Sequence, residues 1–311
     1  MKKKLAAGLM MILCIAAAAG CGGKDGGKPS ANGAPGEAEI NGGSGTAADA
    51  GKDMPSADGT AAGGEQTERM TLRIVDGAES GNLVLAGEGA GEVYTLSVGD
   101  AEVYLDGAVS LASVLEDGML AEIRYTGGIE ETFPAQIGNV VSVSVYSKGT
   151  EQNPLGVYYD LCGLYLEVLD DLWDKDSGLN EGAAYVSVDL SEAPGGLTEG
   201  EKWAVAWIFA DTHNAEALML TYEELAEQGY LSEYGEWEDD EHKAYEWTDG
   251  VLFSITEHAA DGNEVYSLPV LKFDAEKWRS PLGAYYLVNC GAVWSESGSW
   301  ESYTVEAEAI S

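Results

Sequence analysis

The chain is short of basic residues. It has 16 lysines and arginines against 54 aspartates and glutamates, a formal net charge of −38. Three of the basic residues are Lys2, Lys3 and Lys4, so the sequence after them carries 13 basic against 54 acidic residues, a net charge of −41. Nucleic-acid binding needs clustered cations that displace counterions, and anionic lipid surfaces attract basic segments. The composition therefore argues against nucleic acid as a partner and against electrostatic docking on a membrane.

Histidine is also scarce, with only His213, His242 and His258. None lies in a spacing that puts two metal ligands on one helical face, and no nucleophile elbow or P-loop is present. The acidic run Glu236–His242 could hold a divalent cation weakly, although a solvated loop is the simpler interpretation. The sequence therefore predicts no resident metal or cofactor and favours a non-enzymatic protein. Chance pairs among 54 acids leave a glycan hydrolase as an alternative.

Long apolar runs are absent after the first, Leu5–Ala19, which follows the three lysines. This pattern is typical of a signal peptide, here residues 1–20, and the run is short for a bilayer span. The ending Ala18-Ala19-Gly20-Cys21 resembles the lipobox of bacterial lipoproteins. The resemblance implies that Cys21 carries lipid and anchors the protein to the extracytoplasmic face of the cell membrane. The alternative is ordinary cleavage followed by an incidental thiol.

Cysteine is sparse, and its four positions have separate fates. Cys14 would be lost with the signal, and Cys21 would be lipidated. This leaves Cys162 and Cys290, which an exported protein could join in a disulfide. Two plain buried thiols are an equal alternative.

The exported sequence divides into three parts by composition. Residues 21–68 contain repeated glycine pairs and no aromatic residue, which predicts a disordered tether. Residues 69–149 contain short alternating runs separated by Asp-Gly and Gly-Asp turns, which predict strands. We expect a small antiparallel, barrel-like domain similar to an oligonucleotide/oligosaccharide-binding fold. The predicted strands are Met70–Val75, Asn82–Leu85, Val93–Val98, Leu120–Tyr125 and Val140–Tyr146.

Residues 153–311 predict an α+β domain with helices packed on a mostly antiparallel sheet. Asn153-Pro154 is a helix-start signal for a helix that ends near Trp173. Capping boxes at Thr198–Glu201 and Thr221–Glu224 predict two further helices. The remaining predicted strands are Ala184–Leu190, Val251–Glu257, Val265–Phe273, Leu282–Val293 and Trp300–Ala309.

All eight tryptophans lie in this second part. Exposed rings could stack on a sugar, whereas Trp294 and Trp300 could equally be a cross-strand pair and the others core. Lys277 and Arg279 are close cations in an acidic domain. They could neutralise a buried carboxylate or receive an anionic ligand.

Two patterns resemble a family of uncharacterised Gram-positive lipoproteins. They are the segments Gly118, Ala121–Tyr125 and Phe133–Ile137, and the segments Phe273–Ser280, Leu282–Tyr286 and Ala307–Ser311. The resemblance brings no known activity. We therefore expect a surface lipoprotein that binds an unknown protein or glycan ligand. Its alternatives are a glycan hydrolase and a regulator or inhibitor of another exported protein.

Overall fold

Strands dominate the part of the chain that the structure describes. The computed structural model covers residues 67–147, 160–235, 243–259, 270–295, 299–300 and 303–311. Within these ranges there are seventeen strands and three α-helices, which confirms the predicted α+β class. None of the described helices is long and apolar enough to span a bilayer.

The first nine strands form one sheet. They are β1 (Thr67–Asp76), β2 (Asn82–Ala86), β3 (Val93–Ser97), β4 (Glu102–Leu105), β5 (Ala108–Ser110), β6 (Leu120–Thr126), β7 (Ile129–Glu130), β8 (Ala135–Ile137) and β9 (Val140–Val145). A short 3₁₀ turn, Ala112–Val114, separates β5 from β6. The spatial order is β5-β4-β9-β6-β1-β2-β3-β8-β7. Neighbours are antiparallel except β4–β9 and β3–β8, which are parallel.

This sheet is open, so the prediction of a barrel-like domain is wrong. β5 and β7 lie at its two edges and do not pair with each other. A physical reason is visible in β2, where Leu83–Ala86 is buried on both faces. Side chains on one face of β2 pack against other strands of the same sheet, whereas those on the other face pack in the cluster that contains α1 and α2. A sheet covered by helices need not close on itself. The residues that face the helices are Val75, Val84, Ala86 and Val93.

The second part of the described chain builds a six-stranded mixed sheet with three helices. The helices are α1 (Leu161–Asp174), α2 (Glu199–Thr212) and α3 (Tyr222–Glu227). The strands are β10 (Tyr185–Asp189), β11 (Glu216–Leu218), β12 (Ser232–Tyr234), β13 (Ala244–Glu246), β14 (Gly250–Glu257), β15 (Val270–Ser280), β16 (Gly283–Val293) and β17 (Ala307–Ile310). The sheet order is β11-β10-β14-β15-β16-β17, and β12 and β13 form a separate hairpin. The β10–β11 and β10–β14 pairs are parallel, and the other pairs are antiparallel.

Helices cover both faces of this sheet. On β14, Val251 and Phe253 pack with α1 and α2, whereas Leu252 packs with α3 and the buried Trp247. Alternate residues of a strand point to opposite faces, so the two clusters lie on opposite sides. All described residues fall in one compact unit, Thr60–Ser311.

The two capping boxes are confirmed, but the first helix begins later than predicted. Thr198 and Thr221 cap α2 and α3, and both reciprocal side-chain contacts are present. Helix α1 begins at Leu161 after the N-cap Asp160, whose carboxylate accepts a hydrogen bond from Gly163 N at 2.8 Å. The predicted start and the predicted domain boundary lie in residues 148–159, outside the described ranges.

Candidate functional site

An open groove of about 800 Å³ lies between the first sheet and the N-terminal end of α2. β1, β2, β3 and β6 contribute to its walls, and the first turn of α2 closes one side. Small-molecule sites are typically clefts of about 300–1,000 Å³ with mostly apolar walls and a few polar groups. The lining residues are Met70, Thr71, Leu72, Arg73, Ala86, Gly87, Glu88, Gly89, Glu92, Tyr94, Leu120, Thr198 and Glu201.

An ion pair joins the two sides of the groove. Arg73 Nε on β1 donates to Glu201 Oε1 on α2, and Arg73 Nη1 donates to Gly118 O at 2.7 Å. The Glu201 side chain is only 7% exposed. A buried carboxylate is stable only when paired and hydrogen-bonded, so this contact fixes the helix end against the sheet.

A hydrogen bond from the Thr198 side chain to the backbone holds the same helix end on the β2–β3 loop. Thr198 Oγ1 donates to Gly87 O at 2.9 Å and accepts from Glu201 N at 3.1 Å. Glu201 in turn accepts from Thr198 N at 2.7 Å, which completes the capping box. Gly200 is required for the approach, since a Cβ there would lie 2.5 Å from Gly87 O.

The rim of the groove is acidic and its floor is partly apolar. Glu88 and Glu92 lie on the rim, and the Glu92 carboxylate accepts from Gly89 N at 2.9 Å. Burial and the nearby Glu92 charge raise the pKa of the Tyr94 phenol. Among the described residues that line the groove, Arg73 is the only basic one, and Glu201 already pairs with it. The groove therefore presents unneutralised carboxylates beside the apolar side chains of the floor.

Asp160 lies near other charged side chains where the first sheet meets α1. The pKa of Asp160 is raised to about 6, chiefly by burial and also by the nearby Asp117 and Asp76 charges, while the hydrogen bond from Gly163 N and the charge of Arg73 oppose the rise. Burial also raises the pKa of Asp117, which accepts from Ala78 N at 3.0 Å. The junction thus contains a carboxyl group that changes charge near pH 6.

Lys277 and Arg279 bind backbone carbonyls rather than a carboxylate or an open pocket. Lys277 is fully buried. Burial lowers its pKa to about 8. Its Nζ donates at the C-terminal end of α1 to Trp173 O at 3.2 Å, Asp176 O at 3.3 Å, Asn180 Oδ1 at 3.2 Å and also Lys175 O. Arg279 donates to the carbonyl oxygens of Trp247, Thr248, Leu179 and Glu181.

Most of the described tryptophans pack against apolar clusters. Trp294 and Trp300 form a cross-strand bridge, with ring centroids 5.1 Å apart in an edge-to-face arrangement. Trp300 also packs against the main core. The others with described packing are Trp173, Trp203 and Trp207 in the main core and Trp247 and Trp278 in the cluster around α3.

Cys162 and Cys290 are free thiols in the structure, so the disulfide alternative is not formed. Both are buried in the main core. Burial raises the pKa of Cys162 well above its ordinary value and that of Cys290 to about 12. Neither thiol is suited to nucleophilic chemistry, because the thiolate is the reactive form.

Cys21 and the acidic run Glu236–His242 lie outside the described residues. Within the ranges described, no group of three or more histidine, cysteine, aspartate or glutamate side chains is arranged to hold a metal.

Sequence reasoning missed Arg73 and Asp160 as members of a site. The Thr198–Glu201 box predicted a helix start, but its partner Arg73 lies 128 residues away from Glu201 in the chain. The available signal was an arginine between the apolar residues Leu72 and Ile74 of β1.

No family model, no curated protein sequence and no solved structure matches this chain.

Proposed function

We propose that the chain is a lipid-anchored protein of the outer cell surface whose folded part binds a ligand in the groove between the first sheet and α2. The observation that carries the proposal is the groove itself, an open volume of about 800 Å³ held between two structural layers. Its walls are fixed by the Arg73–Glu201 ion pair and by the contact of Thr198 with Gly87. A site with fixed walls loses less entropy on binding.

The anchor rests on the sequence Ala18-Ala19-Gly20-Cys21 and the charged, apolar segment before it. A mature chain with a net charge of −41 would not settle on an anionic membrane unaided. Acyl chains on Cys21 would supply the attachment, since each buried CH₂ contributes about 0.8 kcal/mol. Residues 21–68 would then separate the folded part from the bilayer, as in the Gram-positive lipoproteins that the sequence resembles.

The chemistry of the groove favours an organic cation with an apolar stem. The stem would lie on Met70 and Leu120, and the cationic group would reach the Glu88 and Glu92 carboxylates on the rim. A lysine or arginine side chain and a free alkylamine share this chemistry. The high negative charge of the whole protein would also raise the local concentration of such a ligand.

The test compares three five-carbon probes that differ only in their polar end. The full-length chain in detergent micelles is titrated with pentylamine, pentanol and pentanoate, and binding is followed by the chemical shifts of groove residues. We expect pentylamine to bind tighter than pentanol, and pentanoate not to bind. Glu92→Gln should weaken pentylamine binding by about twofold to fivefold, because one carboxylate is lost while the acceptor for Gly89 N remains.

Glu79→Gln is the matched control, since Glu79 lies outside the groove lining. Equal binding of pentylamine and pentanol, or equal losses in the two variants, would refute the proposal.

A further inference from the structure

Strand β5 is an exposed edge of the nine-stranded sheet. Within the described residues it pairs only with β4. The two strands are joined by Asp106 and Gly107, whose φ angles are +52° and +78°. Positive φ at both positions is the signature of a two-residue type I′ turn, the tightest common hairpin connection.

The register of this hairpin directs the backbone of Val109 outward. Leu105 lies opposite Ala108, and Tyr104 lies opposite Val109. In a two-residue hairpin the pair next to the turn exchanges both hydrogen bonds, and the following pair exchanges none. The N–H and C=O groups of Val109 therefore point away from β4, toward the open edge.

The side chains at this edge are apolar and exposed. Val109 is 74% exposed and Leu111 is 75% exposed. They are two residues apart in an extended segment and so lie on the same face. Unpaired backbone groups beside exposed apolar side chains form a template for another strand.

An acidic cleft of about 510 Å³ begins directly after this edge, at Ala112. Glu79, Glu116 and Asp117 line it, and none of the described residues that line it is basic. The sheet as a whole repeats this imbalance, because residues 67–147 contain 13 acidic and 3 basic residues, a net charge of −10. The charge beside β5 is thus complementary to a cationic partner.

We propose that β5 receives an extended, basic segment of a partner polypeptide as an added strand. The segment would exchange hydrogen bonds with the outward backbone of Val109, place an apolar side chain on Val109 and Leu111, and extend lysine or arginine side chains into the acidic cleft. This surface is separate from the groove and does not depend on the proposed function. A second copy of the chain is the less favourable occupant, since two chains of −41 repel each other.

The test uses a synthetic peptide of about twelve alternating lysine and valine residues, with a glutamate–valine peptide as its charge-reversed counterpart. Binding to the full-length chain in detergent micelles is measured by fluorescence anisotropy, and protection of the Val109 amide by hydrogen exchange. We expect only the lysine peptide to bind, with protection of Val109 and weaker binding at higher salt.

Val109→Pro is the diagnostic variant. It removes the outward N–H and leaves the β4–β5 hydrogen bonds in place, because that N–H takes no part in them. We expect peptide binding to weaken about tenfold or more and the urea midpoint to stay unchanged. Leu111→Lys should weaken binding similarly, through repulsion and loss of the apolar contact.

Leu282→Lys is the matched control, since Leu282 is 73% exposed in the turn between β15 and β16. It should bind the peptide like the unmodified chain. Failure of the lysine peptide to bind, unaltered binding by Val109→Pro, or an equal loss in Leu282→Lys would overturn the proposal. Dimerisation through β5 that blocks the peptide, seen by sedimentation, would overturn it in favour of a second copy.

Discussion

Replacement of Asp160 by asparagine should stabilise the protein near neutral pH. Asp160 is the N-cap of α1, and its carboxylate accepts from Gly163 N at 2.8 Å. Asparagine is as good an N-cap as aspartate, so Asp160→Asn keeps the acceptor and removes only the charge. The charge is unfavourable in the folded state, because burial, Asp117 and Asp76 raise the pKa of Asp160.

The size of the effect follows from the difference between the folded and unfolded pKa. The pKa rises from 3.8 to about 6, which corresponds to at most about 3 kcal/mol in the free energy of unfolding. A carboxyl group with a raised folded pKa stabilises the fold fully below pH 3.8, and this contribution is lost as the pH rises through about 6. The asparagine side chain is neutral at every pH, so the variant keeps this stabilising contribution above about pH 6 as well.

The assay is urea unfolding of the full-length chain, followed by tryptophan fluorescence, near neutral pH and below about pH 4. We expect the variant to be more stable than the unmodified chain by up to about 3 kcal/mol near neutral pH, and equal to it in acid. A variant that is less stable near neutral pH, or a difference that does not change with pH, would refute this reasoning.

Asp106→Asn provides a control of opposite sign. The Asp106 carboxylate accepts from Ser147 Oγ at 2.6 Å and from Ser147 N at 2.8 Å. These hydrogen bonds lower the pKa of Asp106 below its ordinary value. The stability it contributes is present above the unfolded pKa and is lost as the pH falls through the folded pKa. Its replacement should therefore weaken the fold near neutral pH, and the difference should shrink in acid.

Three further changes test the anchor and the packing. Cys21→Ser should move the protein from the membrane fraction to the medium or leave it uncleaved. Cys14→Ser is the control and should give a processed, membrane-bound protein. A processed Cys21→Ser protein that stays on the membrane would contradict the lipid anchor. Lys277→Met should lower the free energy of unfolding by about 3 kcal/mol in urea, since Lys175 O and Asn180 Oδ1 would lose the donor that Nζ gives them; an unchanged midpoint would contradict this role. Gly200→Ala should lower the free energy of unfolding by about 2 kcal/mol despite the gain in helix propensity, because the new Cβ would lie 2.5 Å from Gly87 O. Gly178→Ala is the control, since a Cβ at Gly178 would have no neighbour closer than 3.5 Å.

Local sequence signals predicted most elements but not whether the first sheet closes into a barrel. The five strands predicted in residues 70–146 correspond to β1, β2, β3, β6 and β9, because alternation and turn residues act over a few positions, whereas the short strands β4, β5, β7 and β8 were not predicted. Whether the sheet closes depends on what covers its second face, which no single strand encodes. The buried run Leu83–Ala86 in β2 was the available sign that both faces would be covered.

The start of α1 shows a second limit of local signals. Asn153-Pro154 and Asp160 are both acceptable helix starts, and the apolar stripe of the helix continues from either. In the structure Asp160 is the N-cap, and Leu161 and Tyr165 just after it are buried in the main core. Contacts made far along the chain, absent from any local window, distinguish the two positions.

Lys277 and Arg279 show a third limit, this time of composition. In an acidic chain their expected partners were carboxylates or an anionic ligand. In the structure both side chains donate hydrogen bonds to backbone carbonyls near the end of α1 and in the adjoining loops. The last carbonyl groups of a helix have no hydrogen-bond donor within the helix, so they can accept from a buried cation in place of a carboxylate.

The capping box of α2 connects the fold to the groove. Thr198 and Glu201 form a local helix-start signal, and here Thr198 also binds Gly87 O and Glu201 also pairs with Arg73. The shape of the groove is therefore fixed by a helix cap, a backbone carbonyl and one buried ion pair. Of the rim carboxylates, Glu88 takes no part in these contacts among the described residues, and the Glu92 carboxylate accepts a hydrogen bond from Gly89 N. The charge of the rim can change while the walls stay in place, so the preference for a ligand is physically separable from the stability of the site that holds it.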